Sequence, residues 1–373
     1  MNDQFKEFLT KNVFSPAAGF TGPDWFRILA AHRFRVSPRY WPRALFISLN
    51  SIANSQASRR EEREYAEQLK SVEIPPPIFV LGHWRSGTTH LHNLLSRDTQ
   101  FAYPTFYQST QPHTFLTTED RASKSRLLQS LSPKTRLIDN MEASFGAPME
   151  DEVALCITTG LSPVMGWLFP HHIERYERYL TFRDVPSVEV ARWKAGFQHF
   201  LRKLTLKYGR PVILKSPPHT ARIRLLLELF PDARFVHIHR HPYEVFRSYQ
   251  RSARIMRQML QVQVPKSIDF DEQAIRQYRV MYDAFFEDRH LVPAGRFVDI
   301  AYEALERDPI GQLELVYGQL GLEGFARARP RIENYLGSIA NYSKSSLPVI
   351  EPTLRSRIDA EWKRAFDQWG YAR

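Results

Sequence analysis

Four short apolar runs, each leading into a helical stretch, predict an α/β fold with a central parallel sheet between layers of helices. Two further observations agree. The first run ends in a glycine-bounded turn that opens a helix, "GHWRSGTT" from Gly82 to Thr89. The conspicuous polar clusters lie at the carboxyl ends of the runs, where ligands of such sheets gather.

Taken in order, residues 1–72 read as a helical N-terminal extension. "PDWFRILAAHRF" has Pro23 and Asp24 at a helix start, and "SRREEREYAEQLK" is a charged helix ended by Pro75. The strand runs are "PIFVLG" (77–82), "PVILKS" (211–216), "RFVHIH" (234–239) and "RFVDIAY" (296–302). Between the first two lies an insertion, 98–210, rich in aromatics and turn residues, with a helical stretch "SVEVARWKAGFQHFLRKLTLKYG". Insertions on this side of a sheet build substrate pockets, so a substrate pocket is expected there. The core is drawn as 73–322, and the tail, 323–373, as a loop and a final helix, "TLRSRIDAEWKRAFDQWG".

The 51 Lys and Arg against 40 Asp and Glu leave a formal charge of +11, which favours an anionic partner. The single cysteine, Cys156, excludes an internal disulfide and a multi-cysteine metal site, and suits a reducing compartment. The first residues lack the apolar run of a signal peptide, and "ALFISLNSIA" (Ala44–Ala53) is too short and polar to span a bilayer. A cytoplasmic protein is expected, with peripheral membrane contact through residues 25–53 admitted by the arginines interleaved with Trp and Phe in "WFRILAAHRFRVSPRYWPRALF". The more common reading of such aromatics is packing of an N-terminal helix onto the core.

The turn carries the chemistry. Arg85, Ser86, Gly87, Thr88 and Thr89 combine a fixed cation, a permissive glycine, hydroxyls and backbone N–H groups at a helix N-terminus, the parts of a phosphate cradle. The architecture is P-loop-like, yet Thr88 stands where a Walker A loop needs lysine. Loss of that lysine argues against a magnesium nucleotide and suits a 5'-phosphate bearing a less charged group. Lys215 ends the second run, Arg240 follows the third, and Ser248 lies eight residues on. A turn at "HRHPYE" that folds Arg240 back beside Ser248 would clamp a second phosphate.

"FVLGHWRSGTTHLHNLL", then "LKS", then "FPDARFVHIHRHPYEVFRSYQR", then "YEALERDPIGQLELVYGQLGL" resembles the sulfotransferases that use 3'-phosphoadenosine 5'-phosphosulfate (PAPS). The nearest pattern is the R-S-G-T-T branch of bacterial sulfotransferase-family proteins, related to tyrosylprotein sulfotransferases. The resemblance implies that Arg85 to Thr89 hold the 5'-phosphosulfate, that Arg240 and Ser248 bind the 3'-phosphate, and that Lys215 contacts the transferring sulfonate. It implies a sulfonate moved from PAPS, as co-substrate and without a metal, to a hydroxyl on a small-molecule, glycan or lipid acceptor, releasing 3',5'-PAP.

For the base, "GAPMEDEVAL" offers Glu150, Asp151 and Glu152; Glu150 is preferred over Glu152, and acids after a proline also favour a helix start. His113, in "STQPHTFL", is the rival. His171 and His172 with His237 or His239 lack metal-ligand spacing, and no metal is expected. Ser343 and Lys344, in "NYSKSSLP", stand where many sulfotransferases close a basic loop over the nucleotide, without that loop's glycine-rich pattern. The alternatives are a magnesium-dependent kinase with a degenerate Walker motif, and a non-enzymatic RNA- or membrane-binding protein; nucleic acid is the less expected partner.

Overall fold

A computed structural model describes residues 13, 15–125, 144–265, 269–340 and 349–373. The strands are β1 (Ile78–Leu81), β2 (Ile213–Lys215), β3 (Arg234–His239) and β4 (Phe297–Ala301). The helices that carry the argument are α1 (Gly22–Ala31), α2 (Trp41–Ser71), α3 (Thr88–Leu95), α4 (Asp151–Thr159), α5 (Ser187–Tyr208), α6 (Pro242–Leu260), α7 (Phe270–Asp288) and α8 (Pro309–Leu320).

The chain falls into two compact units. One comprises Met1–Ile74, Pro104–Gly209 and Ser252–Ile268, and the other Pro75–Tyr103, Arg210–Arg251 and Asp269–Arg373. This division groups the N-terminal extension with most of the insertion.

The second unit holds the sheet, parallel throughout and ordered β2-β1-β3-β4. β1, β2 and β3 are buried almost throughout, as parallel strands covered on both faces are, whereas the edge strand β4 alternates, with Asp299 exposed. Ile78 and Val80 of β1 join Ile213, Val236, Ile238, Val298 and Ile300 on one face, under Leu91 and Leu94 of α3 and Leu313 and Val316 of α8. Phe79 and Phe235 stack at 5.5 Å on the opposite face, where the His237 ring lies 4.2 Å from that of Phe285 on α7. Helices thus cover both faces. The chain leaves β1 for β2 on one side and returns as β3 on the other, so the order reverses beside the carboxyl end of β1, where α/β sheets leave a crevice for ligands.

The expected final helix is two, Pro352–Glu361 and Lys363–Trp369. Trp362 breaks the run: its indole donates to the Ile275 carbonyl at 3.0 Å and stacks on Tyr278 at 3.7 Å. Tertiary anchoring overrides a local pattern that would otherwise continue.

The first unit is helical, with α2 packed by α1 and α5, and α5 by α4. Inside it lies an ion pair between Lys203 of α5 and Glu61 of α2, with side chains 2% and 3% exposed. Glu61 also accepts from the Thr117 amide (3.0 Å) and hydroxyl (3.2 Å), and the Lys203 ammonium lies 4.4 Å from the Phe115 ring centre. Burial lowers the Lys203 pKa, and the Glu61 carboxylate opposes the shift.

Candidate active site: an anion loop at the carboxyl end of β1

The turn between β1 and α3 is built by two glycines. Gly82 has φ +142°, and a Cβ there would lie 2.4 Å from the Ile238 carbonyl oxygen. Gly87 has φ +101°, and its Cβ would lie 2.3 Å from the Tyr302 ring. Both positions combine a left-handed backbone with a close approach, so only glycine fits. Thr220 Oγ1 accepts from the Gly82 amide at 2.7 Å, and the Ser86 hydroxyl donates to the His83 carbonyl at 2.8 Å, which holds the turn closed. Gly87 is the N-cap of α3 and provides no side-chain cap. The first amides of α3 therefore face the turn with the positive end of the helix dipole behind them.

Arg85 sits at φ +71°, a conformation rare for a side-chain-bearing residue and concentrated at ligand sites. Its Nε donates to Ser248 Oγ at 2.9 Å, and Arg240 Nη1 donates to its carbonyl oxygen at 3.3 Å. The expected Arg240–Ser248 neighbourhood thus exists, with Arg85 as the bridge. The Arg240 guanidinium lies 4.5 Å from the Tyr302 ring centre and 3.6 Å from Glu244, which fixes its plane. Lys215, at the end of β2 and 1% exposed, reaches Thr89 Oγ1 at 3.4 Å. One site within the second unit therefore gathers Arg85 to Thr89, Lys215, Arg240 and Ser248.

The candidate bases belong to the first unit. Glu150 is the half-buried residue before α4. Asp151 and Glu152 are buried in its first turn, and Glu152 accepts from the Ser162 hydroxyl at 2.7 Å. Burial lowers the His113 pKa to about 4, with the Asp24 charge opposing and Lys203 assisting, so its imidazole is neutral at pH 7. Ser343 and Lys344 lie outside the described residues. His237 and His239 share one face of β3 as strand alternation requires, His237 bonding Asp299 at 2.8 Å and His239 stacking on Trp369 at 4.7 Å. Among the described residues, no group of three or more His, Cys, Asp or Glu could hold a metal ion.

Sequence reasoning missed Tyr302, Thr220 and His83. Tyr302 closes the fourth apolar run, and its position at a strand's carboxyl end was a usable signal; Thr220 carried none. His83 is buried among Trp84, Tyr249 and Tyr278, its Nδ1 2.8 Å from the Trp84 carbonyl oxygen. Burial pushes its imidazole down to about 4 from 6.5, with the Trp84 contact opposing. The unfolded chain binds this proton below pH 6.5 and the folded one only near pH 4, so stability falls as pH drops through that window. We expect His83 to contribute a loss of about 1 kcal/mol between pH 7 and 5.5. Urea midpoints across that range would check the sign, and a midpoint that rises on acidification would contradict it.

Sheet order and the glycine turn define a P-loop-like α/β protein, with Arg85 and Arg240 gathered beside the turn. The chain belongs to the Sulfotransferase family, whose model matches residues 76–327, and it is a transferase of that family. Two curated relatives, from Mycobacterium bovis and Mycobacterium tuberculosis, carry the name omega-hydroxy-beta-dihydromenaquinone-9 sulfotransferase Stf3. Each is 35% identical over 350 residues, 94% of this chain and 89% of the relative. Solved structures share the fold. Sulfotransferase STF9 of Mycobacterium avium aligns with TM-score 0.63 at 19% identity, covering 93% of this chain and 96% of that one. Sulfotransferase STF1 of Mycobacterium tuberculosis H37Rv aligns with TM-score 0.60 at 19% identity, covering 97% and 98%.

Proposed function

We propose that this protein moves a sulfonate from PAPS to the hydroxyl of a hydrophobic acceptor, releasing 3',5'-PAP, without a metal and in the cytoplasm. The observation that carries the donor is the Arg85-centred cluster. A second cationic subsite, Arg240 with Ser248, adjoins the loop through Arg85, as a nucleotide with phosphate groups at both its 5' and 3' positions requires. The N-terminus of α3, without a side-chain cap, fits the 5' end. The buried cysteine agrees with a reducing compartment.

PAPS, when bound, supplies a sulfonate activated by its anhydride link to the 5'-phosphate. In this proposal the chain's own groups do the remaining work. The α3 amides and Thr88 hold the phosphate end, and Arg85 and Lys215 present cations where negative charge grows in the transition state, the interaction that lowers a barrier rather than merely tightening binding. Arg240, steadied by Tyr302, and Ser248 hold the 3'-phosphate. Glu150 is the proposed proton acceptor for the acceptor hydroxyl, with Glu152 and His113 behind it: the Glu152 carboxylate already serves Ser162. Ser343 and Lys344 are proposed to add a hydroxyl and a cation on the nucleotide. The hydroxylated menaquinone lipid in the relatives' name is the first acceptor class to try, ahead of glycans and other small molecules.

Thermal unfolding with PAP, ADP and ATP, with and without magnesium, tests the donor. A ligand at 100 times its Kd adds about 2.7 kcal/mol to a folded state it binds exclusively. The expected result is a magnesium-independent rise with PAP that ADP does not reproduce. A magnesium-dependent rise with ATP and none with PAP would replace the sulfotransfer reading with a kinase.

A further inference from the structure

The N-terminal helices of the first unit carry an apolar surface that the proposed chemistry does not use. On α2, Arg43, Ile47 and Ser51 face inward, and the Arg43 guanidinium, 0% exposed, donates to the carbonyls of Gln258 (2.9 Å) and Gln261 (2.7 Å). The opposite stripe of the same helix is Trp41, Leu45, Leu49 and Ile52, each 59–60% exposed. Spacings of four, four and three residues keep them on one face over roughly 16 Å of helix. The stripe continues across the preceding turn. The Trp41 indole donates to the Val36 carbonyl at 3.3 Å, and Phe34, held at φ +53°, packs edge-on against Phe26 of α1 at 5.5 Å. Phe34 and Phe26 are themselves 54% and 63% exposed. Trp25 and Arg43, within the same 25–53 stretch, are buried, and the Trp25 indole donates to Ser48 at 2.9 Å.

Charge selects what covers the face. From residue 13 to residue 60 the sequence holds seven arginines and a single acid, Asp24, which pairs with Arg27 at 3.2 Å. Arg33, Arg35 and Arg39 are exposed around the Phe34 turn, and Arg59 continues the α2 stripe beyond Ile52. A second copy docking about a two-fold axis would set these arginines against themselves with almost no acid to answer them. Half of the face, Leu45, Leu49 and Ile52, offers no flat ring to a base, and the Phe26 and Phe34 rings pack edge-on against each other, which disfavours single-stranded nucleic acid. A bilayer of anionic lipid answers both halves of the pattern, with acyl chains for the stripe and phosphates for the arginines.

We propose that this face is a peripheral docking surface for an anionic lipid bilayer, in which Trp41, Leu45, Leu49, Ile52, Phe26 and Phe34 enter the interface and Arg33, Arg35 and Arg39 lie among the headgroups. Co-sedimentation of the full chain with phosphatidylglycerol–phosphatidylcholine vesicles and with phosphatidylcholine vesicles tests it. The expected result is binding to the anionic vesicles that weakens with salt, falls at least tenfold in Leu45→Glu/Leu49→Glu, and falls severalfold in Arg35→Gln/Arg39→Gln. Both pairs are exposed, so both variants keep the wild-type melting temperature, which is measured alongside. Absence of binding at low salt, or equal binding by wild type and Leu45→Glu/Leu49→Glu, overturns the proposal. So does a concentration-dependent dimer that the leucine pair dissociates without any vesicle binding. No nucleotide or acceptor is present, so the result stands apart from the identity of the donor.

Discussion

Replacing Lys215 by alanine is expected to lower kcat for sulfotransfer by about 10²- to 10³-fold while PAP affinity changes only a few-fold. Lys215 is held at the end of β2, buried and within 3.4 Å of Thr89 Oγ1 at the first turn of α3. A cation so placed needs no reorganisation when charge develops nearby, and its effect is strengthened by the low dielectric around it. Binding alone would be carried largely by the α3 amides and by the cluster of Arg85, Arg240 and Ser248. Single-turnover rates with PAPS, set beside PAP titrations, separate the two contributions. Equal losses in rate and in PAP affinity would make Lys215 a binding residue and move the transition-state charge to Arg85.

Lys203→Ala is expected to destabilise the protein by about 3–5 kcal/mol, because the Glu61 carboxylate would remain in a nearly solvent-free site with only the Thr117 contacts. The pair joins α2 to α5, so its loss should loosen the first unit as a whole. A double variant, Lys203→Met/Glu61→Leu, removes both charges and should recover most of the loss, since the cost of a broken buried pair is chiefly the stranded charge. Urea midpoints of the two variants against wild type decide it. A single variant within about 1 kcal/mol of wild type would mean that water reaches Glu61 after all.

Much of the candidate site's geometry was legible because its parts are local. The glycine turn, the helix opened by Thr88, and the placement of Lys215 and Arg240 at strand ends follow from runs of a few residues whose periodicity and turn chemistry act without distant help. The base was less legible. Glu150, Asp151 and Glu152 read alike in sequence, and only burial sets Glu150, half-buried before α4, apart from the other two. The N-terminal stretch was legible as aromatic and basic but not as a surface. Helical packing decides that Trp25 and Arg43 turn inward while Trp41 and Leu45 stay outside. The tail shows the reverse error, in which a continuous helical pattern is broken at Trp362 by its anchorage on Ile275 and Tyr278.

What the sequence determined by itself was the class of the fold, the glycine turn after β1 and the likeness to sulfotransferases, since each is written in contiguous residues. The tertiary structure alone decided that Arg85, Ser248, Arg240 and Tyr302 form one cluster. Arg85 and Ser248 are 163 positions apart, and Arg85 and Arg240 are 155 apart. They meet because β1 pairs with β3, and β3 with β4, all in parallel, which brings the loop after β1, the start of α6 and the end of β4 to the carboxyl end of the sheet. Strand order is a property of the folded sheet that no local pattern encodes, and the site is made at the place where that order reverses.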